Sequence, residues 1–181
     1  MLMRRRFPIL LAVMVMGGPL VPARAGAQQD AQQPAPLDAT EILAAGLAEA
    51  GRVDRLVFLH SGAPWCGWCK RLEQWLQRDD IAPIFFKDFV DVKIDVGEMT
   101  GGQELIDSYT EGPVGVPWLA ILEPDGTVVA TSIAPNGRNI GSPQAEWEIE
   151  HWNTMMRTAA KRITEEEIEY MAKTWAEDRQ N

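Results

Sequence analysis

Two cysteines, three positions apart, constrain this 181-residue chain more than any other feature. Cys66 and Cys69 are the only cysteines of the sequence, and an apolar run at residues 56–59 precedes them. A helix-like run at residues 70–77 follows them. The pattern predicts a buried strand that delivers both thiols to the first turn of a helix. Because free N–H groups and the helix dipole favour an anion there, a thiol at that turn loses its proton more easily.

Two motifs in the middle of the chain resemble the active site of the thioredoxin superfamily. The first is Trp-Cys-Gly-Trp-Cys-Lys after the predicted strand, and the second is Gly115-Val116-Pro117. The resemblance covers residues 56–133 and implies an α/β, thioredoxin-like fold, with a central mixed β-sheet flanked by helices. It also implies a cis peptide bond before Pro117, with this proline facing the dithiol.

The end of the chain departs from the simplest pattern of that family. Apolar residues keep helical spacing over residues 147–163 and again over residues 168–175. Thioredoxin itself ends with one helix after its last hairpin, whereas this pattern predicts two. We therefore expect an extended C-terminal helical segment.

The resemblance implies thiol–disulfide exchange through the two cysteines. Cys66 would attack a disulfide of the substrate, and Cys69 would resolve the mixed disulfide. No metal or organic cofactor is required. Reductases, oxidases and isomerases share the motif, so the residues alone leave the direction open. The expected substrate-binding residues flank the dithiol and the proline, and they are Trp65, Gly67, Trp68, Val116 and Pro117.

Two further residues are candidates for proton transfer. His60 lies six residues before Cys66, where thioredoxin has a buried aspartate thought to move protons for the second cysteine. Lys93 matches a lysine that often accompanies this aspartate. A histidine can accept a proton near neutral pH, so it can replace the aspartate in this role. The alternative is a core histidine that only packs.

The N-terminus has the pattern of an export signal. Three arginines at residues 4–6 precede an apolar stretch, and small residues at 25–27 suit a signal peptidase. We predict a signal peptide over residues 1–27, a flexible linker over 28–36 and one thioredoxin-like domain over 37–181. The protein would then be periplasmic in a bacterium, or secreted. Because the apolar stretch is too short and interrupted for a membrane span, we expect no stable membrane insertion after cleavage.

The acidity of the chain narrows the range of partners. The sequence has 26 Asp and Glu against 17 Lys and Arg, a formal net charge of −9, and it lacks a basic cluster outside the predicted signal. This composition disfavours nucleic-acid binding. We expect a monomer whose partners are protein thiols and disulfides, together with a separate redox partner protein.

The main interpretation is an exported thiol–disulfide oxidoreductase, an enzyme that reduces or exchanges disulfides in protein substrates. One alternative is a metal-binding module, in which the two cysteines hold copper, or hold zinc together with His60 and His151. The other alternative is a non-catalytic, thioredoxin-like binding or chaperone protein that uses the tryptophan-lined face.

Overall fold

The computed structural model describes residues 36–178, which contain six helices and four strands. The strands are β1 (Leu56–Gly62), β2 (Phe89–Asp95), β3 (Leu119–Leu122) and β4 (Val128–Thr131). The helices are α1 (Ala39–Val53), α2 (Gly67–Leu76), α3 (Ala82–Phe85), α4 (Gly102–Asp107), α5 (Glu146–Ala159) and α6 (Glu165–Asp178). The predicted signal peptide, and all of the predicted linker except Pro36, lie outside the described residues. None of the described helices combines the length and the apolar character that a membrane crossing requires.

The four strands form one mixed sheet in the order β2-β1-β3-β4. β1 pairs in parallel with β2 and antiparallel with β3, and β3 pairs antiparallel with β4. A parallel pair needs a long crossover, and α2 with α3 provides the crossover between β1 and β2. The structure confirms the predicted fold, a mixed sheet flanked by helices with an additional helical segment at the C-terminus.

Every residue of β1 is buried. Phe58 lies in a core that includes residues of α2, α5 and α6, whereas Val57 and Leu59 lie in a second core that includes residues of α1 and α4. Alternate residues of a strand point to opposite faces of the sheet, so a strand covered on both faces needs an unbroken apolar run. The apolar run at residues 56–59 therefore reflects burial on both faces.

The two C-terminal helices complete one of these cores. Trp75 of α2 stacks on Trp175 of α6 with ring centroids 4.2 Å apart, and it meets Trp152 of α5 edge-on at 5.3 Å. The Nε1–H of Trp75 donates a hydrogen bond to Oγ1 of Thr174 at 3.0 Å, so this buried donor has a partner. Trp75 is thus a packing residue. Its spacing from Leu72 and Leu76 in the sequence, typical of one helix face, predicts this burial, and α6 is an integral part of the core.

Asp88 connects the start of β2 to the segment between α5 and α6. Its buried carboxylate accepts hydrogen bonds from the backbone N–H groups of residues 161–163 at 2.9, 2.7 and 2.8 Å. The helix predicted over residues 147–163 ends earlier, at Ala159, because the chain turns there to present these N–H groups to Asp88. Burial raises the pKa of Asp88, but the backbone donors outweigh burial and hold the pKa below its ordinary value of 3.8.

We expect Asp88→Asn to lower the free energy of unfolding by about 1–3 kcal/mol at neutral pH, because a neutral acceptor replaces a charged one. A carboxyl group with a lowered folded-state pKa stabilises the fold above its unfolded-state pKa. This contribution is lost as the pH falls through the folded-state pKa. Chemical denaturation at successively lower pH should therefore show the wild type and the variant converging below pH 3.8.

Asp79→Asn is a matched control, since it removes the same charge from an exposed side chain. It should leave the free energy of unfolding within about 0.5 kcal/mol of the wild type. Equal stability of Asp88→Asn and Asp79→Asn at neutral pH would contradict the role given to Asp88.

Candidate active site

Cys66 and Cys69 form a disulfide at the N-terminus of α2. Cys66 is the N-cap residue of this helix, and its Sγ accepts a hydrogen bond from the N–H of Cys69 at 3.0 Å. The first N–H groups of a helix lack partners within the helix, so a capping atom satisfies one of them. The sulfur of Cys66 therefore lies where the helix N-terminus stabilises negative charge.

The disulfide itself is buried, but the residues that flank each cysteine in the sequence are exposed. Cys66 and Cys69 are 4% and 1% exposed, whereas Trp65 and Trp68 are 77% and 52% exposed. Gly67 is exposed as well, and a Cβ at this position would meet no atom within 4 Å among the described residues. Large exposed aromatic side chains are typical of surfaces that contact another molecule. The geometry leaves both rings accessible next to the sulfur atoms.

The segment that leads into β3 lies against the disulfide. The N–H of Trp118 donates to Oγ of Ser61 at 2.8 Å, and the N–H of Ser61 donates to the carbonyl of Trp118 at 2.9 Å. These bonds continue the pairing of β1 with β3 to the level of the cysteines. The Val116–Pro117 peptide bond is cis, and Val116 packs against the cluster that contains both cysteines. The carbonyl oxygen of Val116 lies 3.7 Å from Sγ of Cys66.

A groove of about 430 Å³ opens beside this segment. Its walls include Trp68 of α2, residues 115–117 and the loop after β4. Ser142 also lines the groove, and its buried Oγ has no hydrogen-bond partner among the described residues. An unpaired buried hydroxyl is available to bond a polar group of a bound molecule. A molecule in this groove would contact the residues that surround Cys66.

His60 and Lys93 lie side by side on β1 and β2, where the strand register pairs them. His60 is fully buried, and its Nε2 lies 3.1 Å from Oδ1 of Asp91. This approach lacks hydrogen-bond geometry, so neither ring nitrogen of His60 has a hydrogen bond within the part of the chain described. Lys93 forms an ion pair with Glu73 of α2 at 2.6 Å.

Gly62 brings this ion pair close to the second cysteine. A Cβ added at Gly62 would lie 3.1 Å from Cε of Lys93 and 3.9 Å from Sγ of Cys69. Glu73 was not among the predicted site residues, because its partner Lys93 lies on β2, twenty positions further along the chain. One signal in the sequence could have indicated it: Glu73 lies four residues after Cys69, which is the spacing of neighbours on one helix face.

The ligands of the alternative zinc site do not converge. Within residues 36–178, no three His, Cys, Asp or Glu side chains form a group that could hold a metal ion. Nε2 of His151 lies 2.9 Å from the carbonyl oxygen of Thr131, whereas His60 is buried in β1. The structure does not bring these two histidines and the cysteines into one ligand set.

A thioredoxin-like family model matches residues 38–124. The chain has a thioredoxin-like fold. A disulphide isomerase from Xylella fastidiosa Temecula1 is similar in structure, with 26% sequence identity and a TM-score of 0.53, over 66% of this chain and 90% of that one. A thioredoxin from Thermus thermophilus is also similar, with 23% identity and a TM-score of 0.44, over 63% of this chain and 84% of that one. No curated protein matches the chain.

The match covers only part of this thioredoxin-like protein. It includes β1, the disulfide, Pro117 and β3, and it ends before β4. The loop that forms one wall of the groove, together with α5 and α6, lies beyond the matched residues. The surroundings of the disulfide are therefore built partly from elements that the family model does not cover.

We expect His60→Leu to change the free energy of unfolding of the oxidised protein by less than about 1 kcal/mol, because it removes two buried ring nitrogens that lack hydrogen bonds. Phe58→Ala, on the same face of β1, is the control and should cost about 3–5 kcal/mol. Chemical denaturation measures both variants. A loss above about 2 kcal/mol for His60→Leu would show that the imidazole is bonded, with Asp91 as the nearest acceptor.

Proposed function

We propose that the protein is an exported thiol–disulfide oxidoreductase that reduces or exchanges disulfides in protein substrates. The observation that carries this proposal is the Cys66–Cys69 disulfide, which caps a helix N-terminus and contacts Val116. The structural similarity to a protein described as a disulphide isomerase supports it. Export is supported by the basic and apolar pattern of residues 1–27, and it would place the protein in a periplasm or outside the cell.

The proposed reaction moves two electrons from the protein to the substrate. In the reduced protein, the Cys66 thiolate attacks one sulfur of a substrate disulfide, the substrate S–S bond breaks, and the other substrate sulfur leaves as a thiolate. The Cys69 thiolate then attacks Sγ of Cys66 and releases the second substrate sulfur as a thiolate. Both leaving thiolates take a proton, one for each proton that the two cysteine thiols lost. The product is the Cys66–Cys69 disulfide seen in the structure. A separate protein dithiol would reduce it again, so the cycle needs no other cofactor.

The positions of the two cysteines support these roles. Sγ of Cys66 accepts an N–H at the start of α2, so the helix favours the Cys66 thiolate after reduction. Cys69 lies within the first turn of α2 and is more deeply buried, which suits a residue that meets only the sulfur of Cys66. We propose that the substrate docks on the residues around this pair, Trp65, Gly67, Trp68, Val116 and Pro117.

We also propose that His60 and Lys93 assist proton transfer at Cys69. Residues two apart on a strand face the same side of a sheet, so His60 points to the same side as Gly62, against which Cys69 packs. Lys93 lies close to Gly62 as well, and its ion pair with Glu73 places a carboxylate near this site. These groups could exchange a proton with Cys69 while the mixed disulfide is resolved.

For the cysteines, we expect alkylation of the reduced protein at neutral pH to be faster at Cys66 than at Cys69, because only Cys66 is the helix N-cap residue and lies beside Val116, which lines the groove. Cys66→Ser should abolish reduction of a protein disulfide such as that of insulin. Mass spectrometry of timed alkylation and a turnover assay check these two results. Faster alkylation of Cys69 would reverse the assigned roles.

A double Cys66→Ser, Cys69→Ser variant tests the alternative of a non-catalytic binding or chaperone protein. Under the proposed function, this variant has no exchange activity but keeps its fold. If it suppressed aggregation of an unfolded protein as well as the wild type, and the wild type showed no exchange, the binding protein would be the correct assignment.

For proton transfer, we expect His60→Leu to slow the resolving step while leaving the first attack by Cys66 unchanged, because the helix N-terminus already supports that thiolate. Stopped-flow measurement of both steps checks this ratio, and the mixed disulfide should accumulate in the variant. Lys93→Met removes the ion pair with Glu73 and keeps His60, so the same measurement on this variant gives the contribution of the ion pair to the resolving step. An unchanged ratio of the two rates in His60→Leu would leave the histidine a packing role only.

A further inference from the structure

One side chain holds two carbonyl groups on either side of Val116. Nδ2 of Asn139 donates hydrogen bonds to the carbonyl oxygens of Gly115, at 2.9 Å, and Pro117, at 3.0 Å. Its Oδ1 accepts the N–H of Gly141 at 3.1 Å. A side-chain amide has two N–H donors and one acceptor oxygen, so both donors of Asn139 are used, as is its acceptor oxygen.

Gly141 lets this loop lie directly against the segment before β3. Its φ is +53°, in the left-handed region that favours glycine, and a Cβ there would be 3.3 Å from the carbonyl oxygen of Pro117. A side chain at this position would combine backbone strain with a tight contact. The close approach keeps Asn139 within hydrogen-bond distance of the two carbonyls.

These bonds have a consequence for the residue between them. The carbonyls of Gly115 and Pro117 both bond to Asn139, while the carbonyl of Val116 lies 3.7 Å from Sγ of Cys66. Asn139 thus fixes the carbonyls before and after Val116 and leaves the carbonyl of Val116 on the side of the disulfide. The backbone of Val116 borders the groove next to the sulfur that would react.

We propose that Asn139 is a positioning residue that holds the backbone of Val116 ready for an extended protein substrate, and so favours protein disulfides over small ones. This inference rests on the proposed thiol–disulfide activity. An extended segment needs a fixed backbone to pair with, whereas a small disulfide reagent needs only access to the sulfur of Cys66. Asn139 lies beyond the residues that the family model matches. The proposed role of Asn139 is therefore a feature of the loop after β4, which the family model does not cover.

The test compares the two kinds of substrate in variants of the full chain. Asn139→Ala should raise KM for insulin about fivefold, since two hydrogen bonds that hold the docking segment are lost, with little change in kcat. The rate with the small disulfide dithiodipyridine should stay within about twofold of the wild type, because this reagent does not depend on docking. The equilibrium constant of the cysteine pair against glutathione should also stay within about twofold. Asn139→Asp, of the same shape but without the donors, should lose at least as much affinity for insulin as Asn139→Ala.

Asn136→Ala is the matched control. Oδ1 of Asn136 accepts the N–H of Arg138 within the same loop, at 3.0 Å, and the side chain has no bond to residues 115–117. This variant should keep the KM of the wild type for insulin. Melting temperatures of all variants show whether the loop is simply destabilised.

Two results would overturn the inference. One is an unchanged ratio of insulin to dithiodipyridine activity in Asn139→Ala, whether both activities persist or both fall equally, and the other is wild-type behaviour of Asn139→Asp. A wild type that reduces neither substrate would instead overturn the proposed function, and the inference with it. An active wild type with an unchanged ratio in Asn139→Ala would overturn the inference alone.

Discussion

Burial of β1 on both faces is the constraint on which the rest of the structure depends. Its residues fill both cores, and its backbone pairs with β2 on one side and with β3 on the other. These contacts fix the register of the strand relative to β2 and β3. A short connection after Gly62 then puts Cys66 at the N-terminus of α2, and the pairing with β3 puts Val116 beside it. The position of the disulfide, at a helix N-terminus and against Val116, thus follows from the position of β1.

The exposed surface around the disulfide comes from neighbouring residues and not from the sulfur atoms. Both cysteines are buried, and the groove between Trp68 and the segment at residues 115–117 lies next to them, since Val116 contacts Cys66. Trp68 of α2 and the segment that leads into β3, both within the matched residues, supply one part of this groove. The loop around Asn139, which follows the matched residues, supplies another. In this account the thioredoxin-like core provides the reactive pair, and the loop after β4 selects which disulfides dock beside it.

Local patterns in the sequence were sufficient to predict much of the fold. The run at residues 56–59 predicts β1 because burial on both faces leaves no polar alternation. Helical spacing likewise predicts that Trp75 faces the core, although it does not identify its tryptophan partners on α5 and α6. Contacts between distant residues could not be predicted in this way. The early end of α5 depends on Asp88, and the fixed carbonyls around Val116 depend on Asn139; in both cases the partner is far along the chain and no spacing rule connects the two.

The central claim is that Cys66 exchanges disulfides with another protein while Cys69 completes the reaction. Trapping the intermediate tests it most directly: reduced Cys69→Ser protein is mixed with an oxidised protein substrate, and the adducts are mapped by mass spectrometry without reductant. The account predicts a stable mixed disulfide at Cys66 in this variant, and no comparable adduct at Cys69 in Cys66→Ser. Equal adducts on the two cysteines, or none in Cys69→Ser, would contradict it.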